Sequence, residues 1–412
     1  MKADSIERAL IAMQAGIPVV VVDDEDRENE GDLIVAAEKA TPESIAFMVR
    51  WTSGVLCVAI TEERTRELQL PLMVVDSSDP RRTAFTVSVD LREGSTTGIS
   101  AQERAATIRA LADPALGAGA FTRPGHVFPL RAVAGGVLHR AGHTEASVDL
   151  ARLAGLHPAG VLAEIVNDDG SMARRPALSA FAQAHGLPLI TIKDLIQYRK
   201  RTEKLVQRQS SAELPTRWGR FQVHAYVDTQ SGIEHVALTL GDLAQSPAPL
   251  VRVHSECLTS EVFGSLRCDC KPQLDLALER IAAEGAGVVI YLRGQEGRGI
   301  GLTHKLRAYA LQDLGADTAE ANRQLGLPVD SRDYTVGAQI LADLGVRRLR
   351  LMTNNPRKYT GITDHGLAIV ERVPLITPSQ PDNAAYLRFK RDHMGHHLDP
   401  TAPDEEAPLS LF

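Results

Sequence analysis

The chain has 412 residues, which is long for one domain and predicts two or three. Its composition of 44% apolar and 24% charged residues is that of a folded protein with sizeable cores, and its net charge of -7 argues against general affinity for nucleic acid or anionic membranes. No apolar run reaches the ~20 residues that are needed to span a bilayer.

The first half of the chain mixes predicted helices and strands. Apolar residues at helical spacing predict a helix that begins near Ile6 and stops at Gly16. A run of valines predicts a buried strand. The predicted strands cover residues 18–22, 54–60 and 85–89, and a capped helix covers residues 100–112. Because the two types do not alternate strictly, we expect an α+β domain with a mixed sheet.

A charged, polar stretch near residue 200 predicts a domain boundary. The predicted divisions are a first domain at 1–200, a polar helical linker at 201–218, a second domain at 219–398 and a disordered tail at 399–412. In the second domain, strand and helix patterns follow one another more regularly. This order favours an α/β fold, with a zinc site described below.

Three of the four cysteines lie within fourteen positions, which is typical of metal ligation in a reducing compartment. The first residues lack the basic region and apolar core of a signal peptide, so we expect a cytoplasmic protein. Cys257, Cys268 and Cys270 follow the spacing Cys-x10-Cys-x-Cys. Thiolates are strong zinc ligands, and three protein ligands with water in the fourth position form the catalytic pattern.

Spacing alone leaves catalytic and structural zinc equally favoured. His254 could close a structural site, and buried free cysteines are also common core residues. His254 and Glu256 match the His-x-Glu of zinc deaminases, but the Pro-Cys-x-x-Cys partner of that family is absent from the sequence. The cysteine cluster is therefore interpreted as a zinc site of undecided type.

A glycine-rich segment at residues 293–301 lies between a predicted strand and a predicted helix. Its glycines let backbone N–H groups approach a phosphate, and Arg293 and Arg298 add positive charge. The segment is neither a Walker A loop nor a dinucleotide fingerprint, and a plain tight connection is the alternative. Beside a zinc site, it favours a phosphorylated substrate that undergoes metal-assisted hydrolysis.

Five segments carry a resemblance to a known family. They are residues 252–259 (RVHSECLT), 267–270 (RCDC), 294–301 (GQEGRGIG), 330–334 (DSRDY) and 353–356 (TNNP). Over about residues 205–398 the chain resembles GTP cyclohydrolase II. The resemblance implies zinc on Cys257, Cys268 and Cys270, which activates water to attack carbon 8 of guanine. That carbon leaves as formate, and diphosphate is also released.

The same resemblance implies site residues. The GTP-contacting positions are Arg252, Val253, His254, Ser255, Glu256, Gln273, Glu296, Gly297, Arg298, Thr318, Thr353 and Lys358. Tyr309 matches a catalytic-site tyrosine, Asp330 the proton acceptor, and Arg332 the residue that attacks the α-phosphorus. Because a guanidinium is a poor nucleophile, charge stabilisation by Arg332 is an alternative. The other alternative is that Asp330 and Arg332 only form a surface ion pair.

The resemblance bears on two further positions, His254 and Lys271. His254 becomes part of the nucleotide-binding segment, which leaves the fourth zinc position to water. Lys271 stands where the family commonly has glycine. If that position needs a positive φ, lysine would distort the backbone, although zinc ligation should survive.

An acidic segment at residues 23–32 carries seven carboxylates in ten positions, directly after a predicted strand. In extended conformation Glu28, Glu30 and Asp32 face one side, and clustered carboxylates suit Mg²⁺ or Mn²⁺. On charge alone a solvated acidic turn is favoured. Two later Gly-His pairs near arginines add groups suited to acid–base chemistry and phosphate binding.

These segments resemble 3,4-dihydroxy-2-butanone 4-phosphate synthase over about residues 3–200. The matching motifs are residues 24–32, 96–100 (TTGIS), 123–129 (RPGHVFP), 140–146 (RAGHTEA) and 164–170 (EIVNDDG). The resemblance implies Mg²⁺ or Mn²⁺ on Glu28 and His143, and proton transfer by His126 and Glu164. The implied sugar-phosphate ligands are Arg27, Glu28, Asp32, Arg140, Ala141, Gly142, His143, Thr144 and Glu164.

Together the two resemblances predict a bifunctional enzyme of riboflavin biosynthesis. It would convert D-ribulose 5-phosphate to L-3,4-dihydroxy-2-butanone 4-phosphate and formate. It would also hydrolyse GTP to 2,5-diamino-6-(5-phosphoribosylamino)pyrimidin-4(3H)-one, formate and diphosphate. The alternative is a nucleotide-binding regulatory protein with a structural zinc and an inactive first domain. We expect a homodimer, as in homologous enzymes of both kinds, without nucleic-acid or membrane partners.

Overall fold

In a computed structural model, the chain forms two compact units, Met1–Thr202 and Glu203–Phe412. The structure describes residues 3–316, 318–328, 330–355, 361–363 and 365–398, with only the backbone at Thr318, Ala319 and Ala385. The predicted tail at 399–412 therefore lies outside the described residues. Within the described ranges, no helix combines the length and the apolar character needed to cross a bilayer.

The first unit is built on one seven-stranded mixed sheet, in the order β4-β5-β3-β6-β2-β1-β7. Its strands are β1 (Val19–Val22), β2 (Gly31–Ala36), β3 (Cys57–Ile60), β4 (Val89–Leu91), β5 (Phe121–Arg131), β6 (Ala159–Glu164) and β7 (Leu189–Thr191). Its helices are α1 (Ile6–Ala15), α2 (Pro42–Trp51), α3 (Glu62–Glu67), α4 (Ala101–Ala112), α5 (His143–Leu153), α6 (Arg175–His185) and α7 (Ile192–Thr202). The predicted mixed sheet is confirmed, because β3–β5 and β1–β7 pair in parallel and the other neighbours pair antiparallel.

Local sequence explains several of these elements. Helix α1 ends at Gly16 with φ 71°, as predicted. Helix α4 begins with the predicted capping box of Ser100 and Glu103. The four valines of β1 are all buried because alternate side chains enter separate cores on the two faces of the sheet. The strand predicted at 85–89 is wrong in its bounds, since β4 begins only at Val89.

The second unit also contains one seven-stranded sheet, in the order β14-β13-β11-β12-β10-β9-β8. Its strands are β8 (Val206–Thr216), β9 (Gly219–Asp228), β10 (Glu234–Leu240), β11 (Leu250–Ser255), β12 (Gly287–Leu292), β13 (Arg348–Met352) and β14 (Ala368–Val373). Its helices are α8 (Leu258–Glu261), α9 (Cys270–Glu284), α10 (Leu302–Asp313), α11 (Thr318–Gln324), α12 (Thr335–Asp343) and α13 (Ala384–Met394). The predicted α/β character holds only for the parallel half, from β12 to β14, because the other half is antiparallel.

The predicted polar helical linker at 201–218 is wrong. Strand β8 occupies most of that range and pairs antiparallel with β9, while the two units divide between Thr202 and Glu203. Most side chains of β8 are exposed because the strand lies at the edge of the sheet. Such a strand lacks the alternation of apolar and polar residues that marks a half-buried strand, so its polar sequence is typical of a linker as well.

Candidate active sites

The three cysteines of the second unit converge. Cys257 follows β11, and Cys268 and Cys270 flank the start of α9. The Sγ atoms of Cys257 and Cys268 are 3.7 Å apart, and all three thiol sulfurs lie within 4.8 Å of one another. Sulfurs bound to one tetrahedral zinc at ~2.3 Å are separated by about 3.8 Å, so this donor set fits zinc.

A buried lysine outside all the sequence motifs contacts this cluster. Lys305 Nζ lies 3.2 Å from Cys257 Sγ, 2.5 Å from Glu296 Oε1 and 2.8 Å from Thr259 Oγ1. Hydrogen bonds from the other two thiols, and then the charge of Lys305, lower the pKa of the Cys257 thiol. A thiolate is thus favoured before any metal binds, as zinc ligation requires.

His254 does not belong to the cysteine group among the described residues. Its Nε2 lies 2.6 Å from Glu261 Oε1, and its ring stacks on Tyr291 with the centroids 5.8 Å apart. The imidazole is therefore held by neighbours other than the thiols. This geometry disfavours the alternative in which His254 closes a structural zinc site.

The cysteines open into a cavity of about 450 Å³, within the range of small-ligand sites. The predicted residues that line it are Arg252, His254, Ser255, Glu256, Gln273, Glu296, Gly297, Arg298, Tyr309, Arg332 and Thr353. Val253 is buried in β11 outside this lining. Thr318 begins α11, but its side chain is not described, and Lys358 lies outside the described residues.

Buried hydrogen bonds join Arg252, at the start of the predicted nucleotide-binding segment, to Asp269, which lies between Cys268 and Cys270. Arg252 donates from Nη2 to Gln273 Oε1 at 2.6 Å, and Gln273 donates to Asp269 Oδ2 at 2.6 Å. Burial lowers the pKa of Arg252 to about 10.

Lys271 is the second residue of α9 and is not among the described residues with positive φ, so the expected distortion there does not arise.

Asp330 and Arg332 form a largely buried pair, with 2.9 Å between Arg332 Nε and Asp330 Oδ1. Their side chains are only 6% and 14% exposed, so the surface ion-pair alternative is wrong. Burial would raise the pKa of Asp330, but Arg332 outweighs burial and lowers it; Asp330 in turn raises the pKa of Arg332. A guanidinium that stays charged favours charge stabilisation over nucleophilic attack.

The glycine-rich loop is shaped by left-handed backbone and packs against Ser331. Gly297, Arg298 and Gly299 have φ values of 62°, 66° and 91°. Ser331 donates its backbone N–H to the carbonyl oxygen of Arg298 at 3.1 Å. A Cβ atom on Gly299 would lie 2.5 Å from Ser331 Oγ. The loop therefore sets the position of the neighbouring Arg332.

Gly299→Ala is expected to lower kcat/KM for GTP, the substrate that the resemblance implies, by roughly ten- to a hundredfold, because moving Ser331 displaces Arg332. Gly301→Ala is the matched control. Gly301 has φ 84°, so alanine is strained there too, but its Cβ position meets nothing within 4 Å. Formate release from GTP measures both variants. Equal losses would show that backbone strain alone, and not the contact with Ser331, limits the loop.

The first unit gathers a second group of metal-type ligands, in which Asp23, Glu28 and His143 offer atoms within 4.8 Å of one another. His143 Nδ1 lies 3.9 Å from Glu28 Oε2 and 3.8 Å from Asp32 Oδ1. His143 Nε2 is 3.1 Å from the carbonyl oxygen of Val21, which favours a proton on Nε2. Asp32 Oδ1 is buried without a hydrogen-bond partner among the described residues. These acceptors fit a divalent cation.

The charges of this group are strongly coupled. Burial lowers the pKa of His143, but Asp32 and Glu28 outweigh burial and raise it to about 9. The hydrogen bond with His143 lowers the pKa of Glu28 to about 2, whereas burial raises the pKa of Asp32 to about 7. Without metal, a proton on His143 balances the carboxylates, so cation binding must displace that proton.

Asp23 is part of this group, although it is not among the predicted site residues. Its carboxylate accepts the backbone N–H groups of Glu28 at 3.1 Å and Glu30 at 2.9 Å, and thereby folds the acidic loop. Nothing in the sequence separates Asp23 from the other carboxylates of the run.

The implied phosphate ligands meet at the start of α5. Gly142 caps this helix, and its Cβ position would lie 2.6 Å from Arg140 Nη1 and 3.0 Å from Arg27 Nη2. Both guanidinium groups thus approach the helix N-terminus, where Ala141 precedes the cap and Thr144 lies in the first turn. Positive charge and free backbone N–H groups at a helix start are suited to a phosphate.

Glu164 and His126 differ in their placement. Glu164 pairs in register with Asp32 and accepts a hydrogen bond from Ser53 Oγ at 2.8 Å. His126 lies on β5, where its Nδ1 is 2.7 Å from Asp90 Oδ2. Two strands separate β5 from the strand of Asp32, so at ~4.8 Å per strand the two strands are ~14 Å apart. By strand order, Glu164 lies beside Asp32, whereas His126 lies on a strand three spacings away.

Comparison with known proteins places both units in described families. The family models for 3,4-dihydroxy-2-butanone 4-phosphate synthase and GTP cyclohydrolase II match residues 7–198 and 207–374. Riboflavin biosynthesis protein RibBA of Salinispora tropica is 60% identical over 96% of this chain and 98% of the relative. The Rhodococcus jostii protein of that name is 60% identical, with 96% of each chain covered. The crystal structure of RibBX, a two-domain 3,4-dihydroxy-2-butanone 4-phosphate synthase from A. baumannii, is 38% identical over 90% of this chain and 99% of that one, with a TM-score of 0.66.

Proposed function

Because this chain belongs to the bifunctional riboflavin biosynthesis proteins, we propose that each of its two activities resides at one of the two sites described above. The chain is a 3,4-dihydroxy-2-butanone 4-phosphate synthase and a GTP cyclohydrolase II. The regulatory-protein alternative is therefore not supported. The observation that carries the site assignment is one cavity that is lined by all three cysteines and by most of the implied GTP-contacting residues.

In the second unit, Cys257, Cys268 and Cys270 would hold zinc, which supplies Lewis acidity for hydrolysis at carbon 8 of guanine. Tyr309 lines the same cavity, and its hydroxyl is 3.5 Å from Thr259 Oγ1. Burial raises the pKa of Tyr309, which keeps its hydroxyl protonated and able to donate.

Asp330 and Arg332 would serve the other reacting centre of GTP. The lowered pKa of Asp330 keeps its carboxylate ionised beside Arg332. Arg332 lines the cavity and would offset the charge that develops at the α-phosphate. Its largely buried ion pair with Asp330 fixes the orientation of the guanidinium.

In the first unit, Glu28 and His143 would hold Mg²⁺, or Mn²⁺ with the same oxygen and nitrogen donors, and the ion polarises the ketone of ribulose 5-phosphate. Arg27 and Arg140 would bind the phosphate at the start of α5. Glu164, oriented by Ser53, would move protons between substrate carbons.

We also propose a cytoplasmic homodimer. The cytoplasm keeps the zinc-binding thiols reduced. The separation of His126 from the metal group supports a dimer in which His126, with Asp90 behind it, serves the site of the second copy.

The site assignment is tested by measuring formate from GTP alone and from ribulose 5-phosphate alone with the full chain. Each substrate should yield formate. A chelator selective for zinc should stop only the GTP reaction, because the first unit's ligands are oxygen and imidazole donors. Formate release from GTP that persisted after complete zinc removal would overturn the assignment.

Co-expression of Glu28→Ala and His126→Ala chains is expected to restore about a quarter of wild-type 3,4-dihydroxy-2-butanone 4-phosphate synthase activity. Random pairing makes about half of the dimers mixed, and each mixed dimer has one intact site if His126 acts across the dimer. Each variant expressed alone should be inactive. No recovery in isolated mixed dimers would place His126 at the site of its own chain.

A further inference from the structure

The C-terminal helix α13 forms one wall of the GTP cavity. Tyr386, Phe389 and Lys390 of this helix line the cavity, and Asp382 just before it does as well. These residues lie beyond residue 374, where the match to the GTP cyclohydrolase II model ends. Neither the motifs nor the family match assigns them a role.

The helix presents two aromatic rings to Arg298 of the glycine-rich loop. The guanidinium carbon of Arg298 lies 5.2 Å from the ring centroid of Tyr386 and 5.8 Å from that of Phe389. Both terminal nitrogens of Arg298 are buried, and neither has a hydrogen-bond acceptor among the described residues. A buried cation without an acceptor is energetically costly, so we expect an anion to bind the terminal nitrogens of Arg298.

The backbone of Arg298 supports the same conclusion. Its φ of 66° is left-handed, a conformation that costs a non-glycine residue conformational energy and is enriched at ligand and active sites. The nearby carboxylate of Asp330 is already bound to Arg332. The charge of Arg298 therefore remains available to a ligand in the cavity.

Helix α13 is held by contacts from its second half and from the segment just after it. Lys390 Nζ donates to Asp269 Oδ1 at 2.6 Å, and Asp269 stands between two of the predicted zinc ligands. Just after the helix, His397 donates its backbone N–H to the carbonyl oxygen of Asn354 at 2.9 Å. The side chains of the Lys390–Asp269 ion pair are both buried, at 10% and 2% exposure. The two rings are thus held at a fixed place relative to the cysteine loop.

We propose that Tyr386 and Phe389 are positioning residues of the GTP cyclohydrolase reaction, which hold Arg298 so that its guanidinium binds the triphosphate of GTP. The inference rests on the proposed GTP site of the second unit. Aromatic rings attract a cation through their faces but, unlike a carboxylate, do not neutralise it. The full charge of Arg298 is therefore left to the phosphates.

The test compares Tyr386→Leu, Tyr386→Phe and Arg388→Leu in the full-length enzyme. Tyr386→Leu should raise KM for GTP on the order of tenfold, with kcat within about twofold of wild type, because a ring–cation contact is lost. Tyr386→Phe keeps the ring and should keep the wild-type KM. Arg388 is exposed on the same helix, so Arg388→Leu should also leave KM unchanged. Synthase activity on ribulose 5-phosphate reports whether each chain is folded.

Two inhibitors identify the part of GTP that is affected. The inhibition constant of inorganic triphosphate should rise in Tyr386→Leu by the same factor as KM, while that of guanosine stays constant. An unchanged KM in Tyr386→Leu, an equal rise in Tyr386→Phe, or a loss confined to guanosine binding would overturn the inference. Wild-type enzyme that released no formate from GTP would overturn the proposed GTP site as well.

Discussion

Cys268→Ser is expected to abolish formate release from GTP and to leave the synthase reaction on ribulose 5-phosphate at the wild-type rate. Cys268 Sγ lies 3.7 Å from Cys257 Sγ, the separation that one tetrahedral zinc requires. A serine hydroxyl is a far weaker zinc ligand than a thiolate. Because losing an outer-shell partner already costs roughly 10–100-fold in affinity or activity, losing a direct ligand should cost more.

The control for this variant is Cys57→Ser, which removes the cysteine that lies in the first unit. It should retain one zinc per chain and the wild-type rate with GTP. Zinc content measured beside formate release separates loss of metal from loss of fold, and the synthase reaction monitors the rest of the chain. Cys268→Ser protein that kept its zinc and its GTP activity would remove Cys268 from the site.

The grouping of the three cysteines was predictable from sequence because all three lie in two short segments that carry their own chemistry. Helices α1 and α4 were predictable for a similar reason, since the capping side chains that begin or end them are within a few residues of the helix. Strand β8 was not predictable, because its polar sequence is explained by its place at the sheet edge. Edge position is a property of the whole sheet.

The remaining site residues depend on long-range contacts that sequence spacing does not encode. Lys305 is 48 positions from Cys257, and Asp90 is 36 positions from His126. A single lysine in a helical pattern is usually a solvated charge, and an isolated aspartate usually lies in a turn. Only the packing of α10 against the cysteine loop, and of β4 against β5, gives these two residues their partners.

Glu28→Gln is expected to lower synthase activity on ribulose 5-phosphate by more than a hundredfold, with GTP hydrolysis unchanged. The change keeps the size of the side chain but removes the charge that faces His143 Nδ1 at 3.9 Å. A neutral amide oxygen binds Mg²⁺ more weakly than a carboxylate, and the substrate ketone then lacks its electrophile. Mn²⁺ binding, followed by electron paramagnetic resonance, should weaken in parallel with the rate.

The matched control is Glu25→Gln, which removes the same charge from the same acidic loop. Glu25 is exposed, whereas Glu28 faces His143 within the metal group. If the loop acted only as a solvated acidic turn, both variants would lose activity and Mn²⁺ affinity equally. A loss restricted to Glu28→Gln would show that geometry, rather than the total charge of the loop, makes the site. We expect that difference because Glu28 pairs with His143, which lies 115 positions further along the chain.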